Sequence, residues 1–207
     1  MKADAQLVAQ VQKSARIRCG AFLDVETTGL SPVRNEILEL AIILFAFDEQ
    51  SGRITGILEE YVGLREPDCD IPSDAIAIHG ITEEMVKGHR LDEERIQDML
   101  NRAEFVVAHN ARFDYGFVVR LFPGVASKPW LCSMSQISWR AYGYPSKGLQ
   151  SLLAAHCIPV DTAHRAAADC RGALLLLNHV NPRGDTYLRE LLQYLSNPAV
   201  GMPAASA

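Results

Sequence analysis

The chain has 207 residues, 48% hydrophobic and 22% charged, which is enough for one sizeable domain with its own core and too apolar for a disordered segment. Its net charge of −5 argues against a protein that coats long nucleic acid, and no apolar run reaches membrane-span length, since Glu39 interrupts "ILELAIILFAF". The charge is uneven: residues 1–100 hold 10 Lys/Arg against 19 Asp/Glu and residues 101–207 hold 10 against 6, so a partner gripped at a few phosphates stays open.

In chain order, "ADAQLVAQVQKSAR" is helix-like, with Asp4 inside it and no secretory or transit signal evident. Residues 20–26 read as a strand ended by the "TTG" turn, and a second strand runs from Ile37 to Phe47. "EQSGR" turns the chain into a third strand, Ile54 to Val62. Short helical pieces surround "IHGITEEM", with Thr82 as an N-cap, and "LDEERIQDML" shows helical spacing at Leu91, Ile96, Met99 and Leu100. "AEFVVAHN" reads as a buried strand followed by a helix from Ala111 to Leu121. "CSMSQISWRAYG", "GLQSLLAAHC" and "HRAAADCRGALLLLNHV" each carry helical periodicity, with stops at Pro145, Gly148 and Pro159. The pattern predicts one α/β domain, a mixed sheet with helices packed on it. Residues 1–18 are read as an N-terminal extension, 19–195 as the domain and 196–207 as a flexible tail. Five scattered cysteines without a CxxC pair fit a reducing compartment, so a cytoplasmic location is expected, with no membrane partner.

"AFLDVETTGL" sets the functional question. Asp24 and Glu26 stand at i and i+2 of a strand, so both carboxylates leave one face while Val25 points the other way. Like charges side by side repel unless a cation lies between them, and hard divalent ions such as Mg²⁺ and Mn²⁺ prefer such oxygen ligands. A solvated edge strand is the alternative. "HNARFD" adds Asp114 in the first turns of a helix, and "HRAAAD" adds Asp169 five residues after His164. Positions i and i+5 of a helix point about 140° apart, so the two converge only if His164 sits on the preceding loop.

"LDVETTGL", "AHNARFD" and "HRAAAD", in that order, resemble the three motifs of the DEDDh family of 3′–5′ exonucleases, and "AIHGIT" looks like a segment of its polymerase-proofreading and exonuclease X branches. The resemblance covers Cys19 to Val180. It implies a ribonuclease-H-like fold, a five-stranded mixed sheet flanked by helices. It also implies two Mg²⁺ or Mn²⁺ ions held by Asp24, Glu26, Asp114 and Asp169, with His164 as general base. Such an enzyme releases nucleoside monophosphates from single-stranded 3′ ends; the nearer resemblance to the proofreading and exonuclease X branches implies DNA, and "ETTGL" departs from the "EMTGL" of oligoribonucleases, against a short-RNA specialism.

By motif position, Thr27 is expected to offer its backbone to the terminal nucleotide, with Leu30, Phe113 and His79 lining its pocket; Phe113 also reads as core and Leu30 as a cap on the sheet. Asn110 is expected to order its turn, and Trp130 and Trp139 to pack. His156 and Cys157 are adjacent on a helix and so share no face. Three alternatives stay open: an exoribonuclease of the same family, a catalytically silent polymerase-associated module, and a two-metal hydrolase of small phosphate esters. Little chain follows residue 195 to serve as a polymerase tether, and the sequence is silent on oligomeric state.

Overall fold

The computed structural model describes residues 16–159 and 164–196, which form a five-stranded sheet in the order β3-β2-β1-β4-β5. Strands β1 (Ile17–Thr27), β2 (Ile37–Asp48) and β3 (Ile54–Leu64) make an antiparallel meander. Strands β4 (Val106–Ala108) and β5 (Trp130–Cys132) join β1 in parallel, so the sheet is mixed, as expected.

Helices cover both faces. Between β3 and β4 lie α1 (Ser73–His79), α2 (Glu83–Val86) and α3 (Glu93–Arg102); α4 (Ala111–Leu121) joins β4 to β5. After β5 come α5 (Leu149–Ala155), α6 (Ala166–Asn178) and α7 (Tyr187–Leu192). Alternation along β1 sorts the core into two layers. Leu23 and Val25 pack with Ile96, Met99 and Leu100 of α3 and Phe117 of α4. Phe22 faces the other way, toward Ala166, Cys170 and Leu177 of α6 and Leu188 of α7. Cover on both faces explains why β2 reads as an almost unbroken apolar run, buried from Ile37 to Phe47.

Several expectations need correction. "CSMSQISWRAYG" is not an α-helix: Trp130, Leu131 and Cys132 hydrogen-bond to β4 as the fifth strand, and only Trp139–Tyr142 coils, as a 3₁₀ turn. The Gln136 side chain accepts from the Cys132 N–H at 2.7 Å and bends the chain between them. Helix α7 went unread. Thr82 occupies an N-cap position without a side-chain bond, whereas Asp92 caps α3 by accepting the Arg95 N–H at 3.1 Å. Strand β1 begins at Ile17, so residues 17 and 18 belong to the sheet. The helix-like N-terminal stretch to residue 15 and the tail from residue 197 lie outside the described residues. Trp139 is fully buried, Trp130 is 6% exposed, and all five cysteines are free.

Candidate active site

The carboxyl ends of β1 and β4 open into a cleft of about 610 Å³ lined by Asp24, Glu26, Leu30, Phe113, Asp114, His164 and Asp169, among others. Asp24 pairs across the sheet with Ala41 and Glu26 with Glu39, after which the β1–β2 register slips at Thr27. A slip of this kind twists a strand end and re-aims its side chains. Asp24 and Glu26 share the face of Phe22, against which α6 packs, and α6 brings Asp169 in its first turn. Ligand oxygens of Asp24, Glu26 and Asp169 lie within 4.8 Å of one another. Asp114, 2% exposed, comes from the first turn of α4 beyond the end of β4.

This concentration of acid is electrostatically unfavourable. Burial, and then the neighbouring carboxylates of Asp169, Glu39 and Asp114, push Glu26 up to about 8. Burial pushes Asp114 to about 7, against the backbone N–H groups of Asp114 and Val25. Asp24 is raised well above the carboxylate range by burial and then by Asp114, Glu26 and Asp169. Asp169 is raised by burial, opposed by His164 and by the Gln150 side chain, whose Nε2 donates to its Oδ1 at 2.7 Å.

His164 precedes α6 with φ 61°, a left-handed conformation that His and Asn adopt more readily than most residues. It stands off the helix that carries Asp169, as the five-residue spacing requires; residues 160–163 of its lead-in lie outside the described residues. Leu30 is 85% exposed at the rim, and the Phe113 ring packs on Phe117 with centroids 5.0 Å apart. Thr27 and His79 do not line the cleft. The Thr27 hydroxyl donates to the Gly29 carbonyl at 2.7 Å, and His79 is 5% exposed with Nδ1 accepting the Ile81 N–H at 3.0 Å. Asn110 sits at the N-cap position of α4 without a side-chain cap bond, on the cleft wall.

Four side chains missed by sequence reasoning hold the site in shape. Glu39 accepts from Arg165 Nη2 at 2.5 Å and from the Ala166 N–H at 2.9 Å, tying the start of α6 to β2. Its charge inside an apolar strand was the available signal. Gln150 on α5 had no signal. His109 is 7% exposed and bonds to the Lys147 carbonyl at 2.8 Å and the Ser133 hydroxyl at 2.9 Å. A carbonyl only accepts, so Nε2 carries the ring proton and Nδ1 accepts from Ser133. That bond fixes the 147–150 segment beside Asp169.

Residues 21–177 match the family described as Exonuclease. The chain is 33% identical over 173 residues to exodeoxyribonuclease 10 of Escherichia coli (strain K12), covering 80% of this chain and 70% of that protein. It is 37% identical over 110 residues to a PolC-type DNA polymerase III of Thermotoga maritima, covering 52% of this chain and 8% of the polymerase. With the 3′-5′ exonuclease DinG of Staphylococcus haemolyticus it shares 30% identity over 166 residues, 76% of this chain and 17% of DinG. The chain thus spans only a small part of the polymerase and DinG relatives. Among solved structures, exonuclease X in complex with 5′ overhanging duplex DNA superposes with TM-score 0.56 at 28% identity, covering 82% and 98% of the two chains. E. coli exonuclease I with a dA16 oligonucleotide gives TM-score 0.69 at 19% identity, covering 88% and 44%, a likeness of fold. The family match runs from the strand that carries Asp24 and Glu26 to the helix that carries Asp169, and on it the chain belongs to the exonuclease family.

Proposed function

We propose that this chain is a divalent-metal-dependent 3′–5′ exonuclease that removes nucleoside monophosphates from single-stranded DNA ends. One observation carries the reading: Asp24, Glu26 and Asp169, from two separate segments, bring carboxylate oxygens within 4.8 Å of one another on the floor of an open cleft. The donor set fits hard cations. It is all oxygen, and Arg165, the one guanidinium acting on Glu26 among the described residues, is bound to Glu39, so a single shared positive charge faces the acids. Asp24, Glu26 and Asp169, with Asp114 behind them, would hold Mg²⁺ or Mn²⁺, two ions in the reading that the motifs imply. When bound, such ions supply a nucleophilic water near neutral pH and charge neutralisation at the phosphate and the leaving oxygen.

The chain's own groups do the rest. His164, at the rim and outside the helix, accepts the proton of the attacking water, for which imidazole is suited near neutral pH. Leu30 and Phe113, both in the cleft lining, present apolar surface to the terminal base and sugar. Gln150 and Glu39 position Asp169 and the start of α6. Thr27 offers its backbone to the terminal nucleotide, its hydroxyl being bonded to Gly29.

The choice of DNA rests on the relatives: one is named an exodeoxyribonuclease, and two of the superposed neighbours hold DNA. The polymerase match covers 8% of that protein, which supports a shared exonuclease segment rather than a shared partner. The test is 5′-labelled single-stranded DNA, matched RNA and duplex, each with Mg²⁺, Mn²⁺ or chelator. A ladder shortening from the 3′ end on DNA, abolished by chelator and by Asp24→Ala, is expected. Internal cuts, or release that persists in chelator, would refute it.

A further inference from the structure

On the far side of the loop that carries Leu30 lies a second recess of about 370 Å³, lined by Val33, Arg34, Arg65, Phe117, Arg120 and Leu121, among others. It shares its helix with the cleft. Phe113 and Asp114 face the cleft, and Phe117, Arg120 and Leu121 follow at the spacing of one helical stripe. The wall between the two recesses is rigid. Asn35 Oδ1 accepts the Ser31 N–H at 3.0 Å, the Asn35 N–H donates to the Ser31 carbonyl at 2.8 Å, and Thr28 Oγ1 accepts the Glu36 N–H at 3.0 Å. Pro32 seats this loop on α4 at Gly116, where a Cβ would come within 3.1 Å of the proline ring.

The charges in this recess are unevenly matched. Arg65 Nη1 donates to Glu36 at 2.6 Å, and Glu36 also accepts the Asp68 N–H at 2.9 Å, so that acid is spent; the exposed Asp68 carboxylate is the second acid of the lining, which leaves three arginines against two acids. Among the described residues, neither Arg34 nor Arg120 has a carboxylate partner. Both are exposed, in a chain of net charge −5, beside Val33 at 77% exposure and Leu121 at 36%. Two guanidinium groups without a carboxylate partner, in one recess with exposed apolar side chains, suit a phosphodiester chain, whose phosphates take the forks while sugars and bases cover the carbon.

We infer that Arg34 and Arg120 grip the phosphodiester backbone of the nucleic acid beyond the cleft. This rests on the exonuclease reading, which places a 3′ end on the other side of the Leu30 wall. Two sources share that chemistry: the scissile strand upstream of its end, and the complementary strand of a duplex.

The test compares wild type with R34A/R120A on three substrates: an aryl ester of a nucleoside 5′-phosphate, too short to leave the cleft, a single-stranded oligonucleotide, and a duplex with a recessed 3′ end. Turnover of the ester is expected to change less than about twofold, while kcat/KM on an oligonucleotide falls about tenfold, chiefly through KM. The slope of log KM against log salt is expected to fall by about 1.4 on single strands or about 1.8 on duplex, the loss of two phosphate contacts. R34K/R120K should restore the salt slope, which counts charge, while recovering only part of the affinity, because Lys keeps the charge without the bidentate fork. Loss on both polymers assigns the recess to the scissile strand; loss on duplex alone assigns it to the complement. Equal loss on ester and polymer, or an unchanged salt slope, overturns the inference. Should wild type hydrolyse nothing, anisotropy with the same oligonucleotides decides: salt-dependent binding weakened in R34A/R120A upholds the recess while the exonuclease reading fails, and unaltered binding sinks both.

Discussion

Glu39 sits directly across the β1–β2 ladder from Glu26, yet its carboxylate is turned to Arg165, with Nη2 at 2.5 Å and Nε at 3.1 and 3.2 Å. The Glu39 side chain is 2% exposed and that of Arg165 33%. The pair performs two tasks at once. It fixes the first turn of α6, from which Asp169 reaches the acid cluster, and it sets one positive charge beside Glu26. Arg165→Ala strands a buried carboxylate next to three others. It is expected to cost about 2–3 kcal/mol, below the full range for a buried pair because a third of Arg165 is solvated. Metal affinity or turnover should fall by about 10–100-fold, as for other residues that orient ligands. Thermal melts and Mn²⁺ titration by calorimetry check both; a variant with wild-type melting and wild-type Mn²⁺ affinity would show the pair to be incidental.

His164 is expected to affect rate without affecting binding. Asn tolerates the left-handed backbone at φ 61° but cannot take a proton, so His164→Asn separates conformation from chemistry. Its kcat should fall by about 10²–10⁴-fold, with Mn²⁺ affinity and melting temperature close to wild type. Turnover unchanged at saturating metal would remove the general-base role.

The strand meander was legible because apolar runs bounded by the "TTG" and "EQSGR" turns are local signals, and the ends of β2 and α4 fell close to where the pattern put them. The three acidic segments were legible because each carries its acid in a short motif and the three follow in the family's order; the Asp24–Glu26 pair alone left a solvated edge strand open. What escaped depends on contacts distant in sequence. Strand β5 is three residues long and exists through its ladder to β4, so "WLC" has no periodicity to read. Glu39 and Arg165 are 126 residues apart, and Gln150 and Asp169 meet only once α5 and α6 pack. His79 shows the converse: motif position put it on the pocket, but it is buried with Nδ1 accepting the Ile81 N–H and does not line the cleft, while the Thr27 hydroxyl bonds to Gly29 and leaves only its backbone for a nucleotide.

Leu30 distinguishes packing from recognition. Its side chain is 85% exposed, so Leu30→Ala should leave stability within about 0.5 kcal/mol of wild type. If it holds the terminal base, KM rises several-fold with kcat little changed, the signature of lost uniform binding. Phe113→Ala should differ, losing stability as well because its ring packs on Phe117. Steady-state kinetics on a single-stranded oligonucleotide, beside thermal melts, read both; a Leu30→Ala variant that melts early with KM unmoved would return the residue to a structural role.

Protonation of the acid cluster predicts an unusual pH dependence for the metal-free protein. Glu26 at about 8, Asp114 at about 7 and a strongly raised Asp24 all bind protons more tightly folded than unfolded, where carboxylates titrate near 4. By linkage, the stability tied to these protons is fully present below about pH 4 and is lost as pH rises through about 7 to 8. In chelator, the melting temperature should therefore fall between pH 5.5 and 8.5, as the cluster is forced to ionise with only the charge of Arg165, shared with Glu39, to offset it. A saturating divalent ion reverses the trend: it binds the ionised folded form, and its stabilisation grows as protons leave. Glu26→Gln removes one of the repelling charges and should flatten the metal-free slope while weakening the response to Mn²⁺. Melts across that range, with chelator or with Mn²⁺, give the four curves; a chelated wild type that is most stable at pH 8.5 would mean that the cluster carries no such strain.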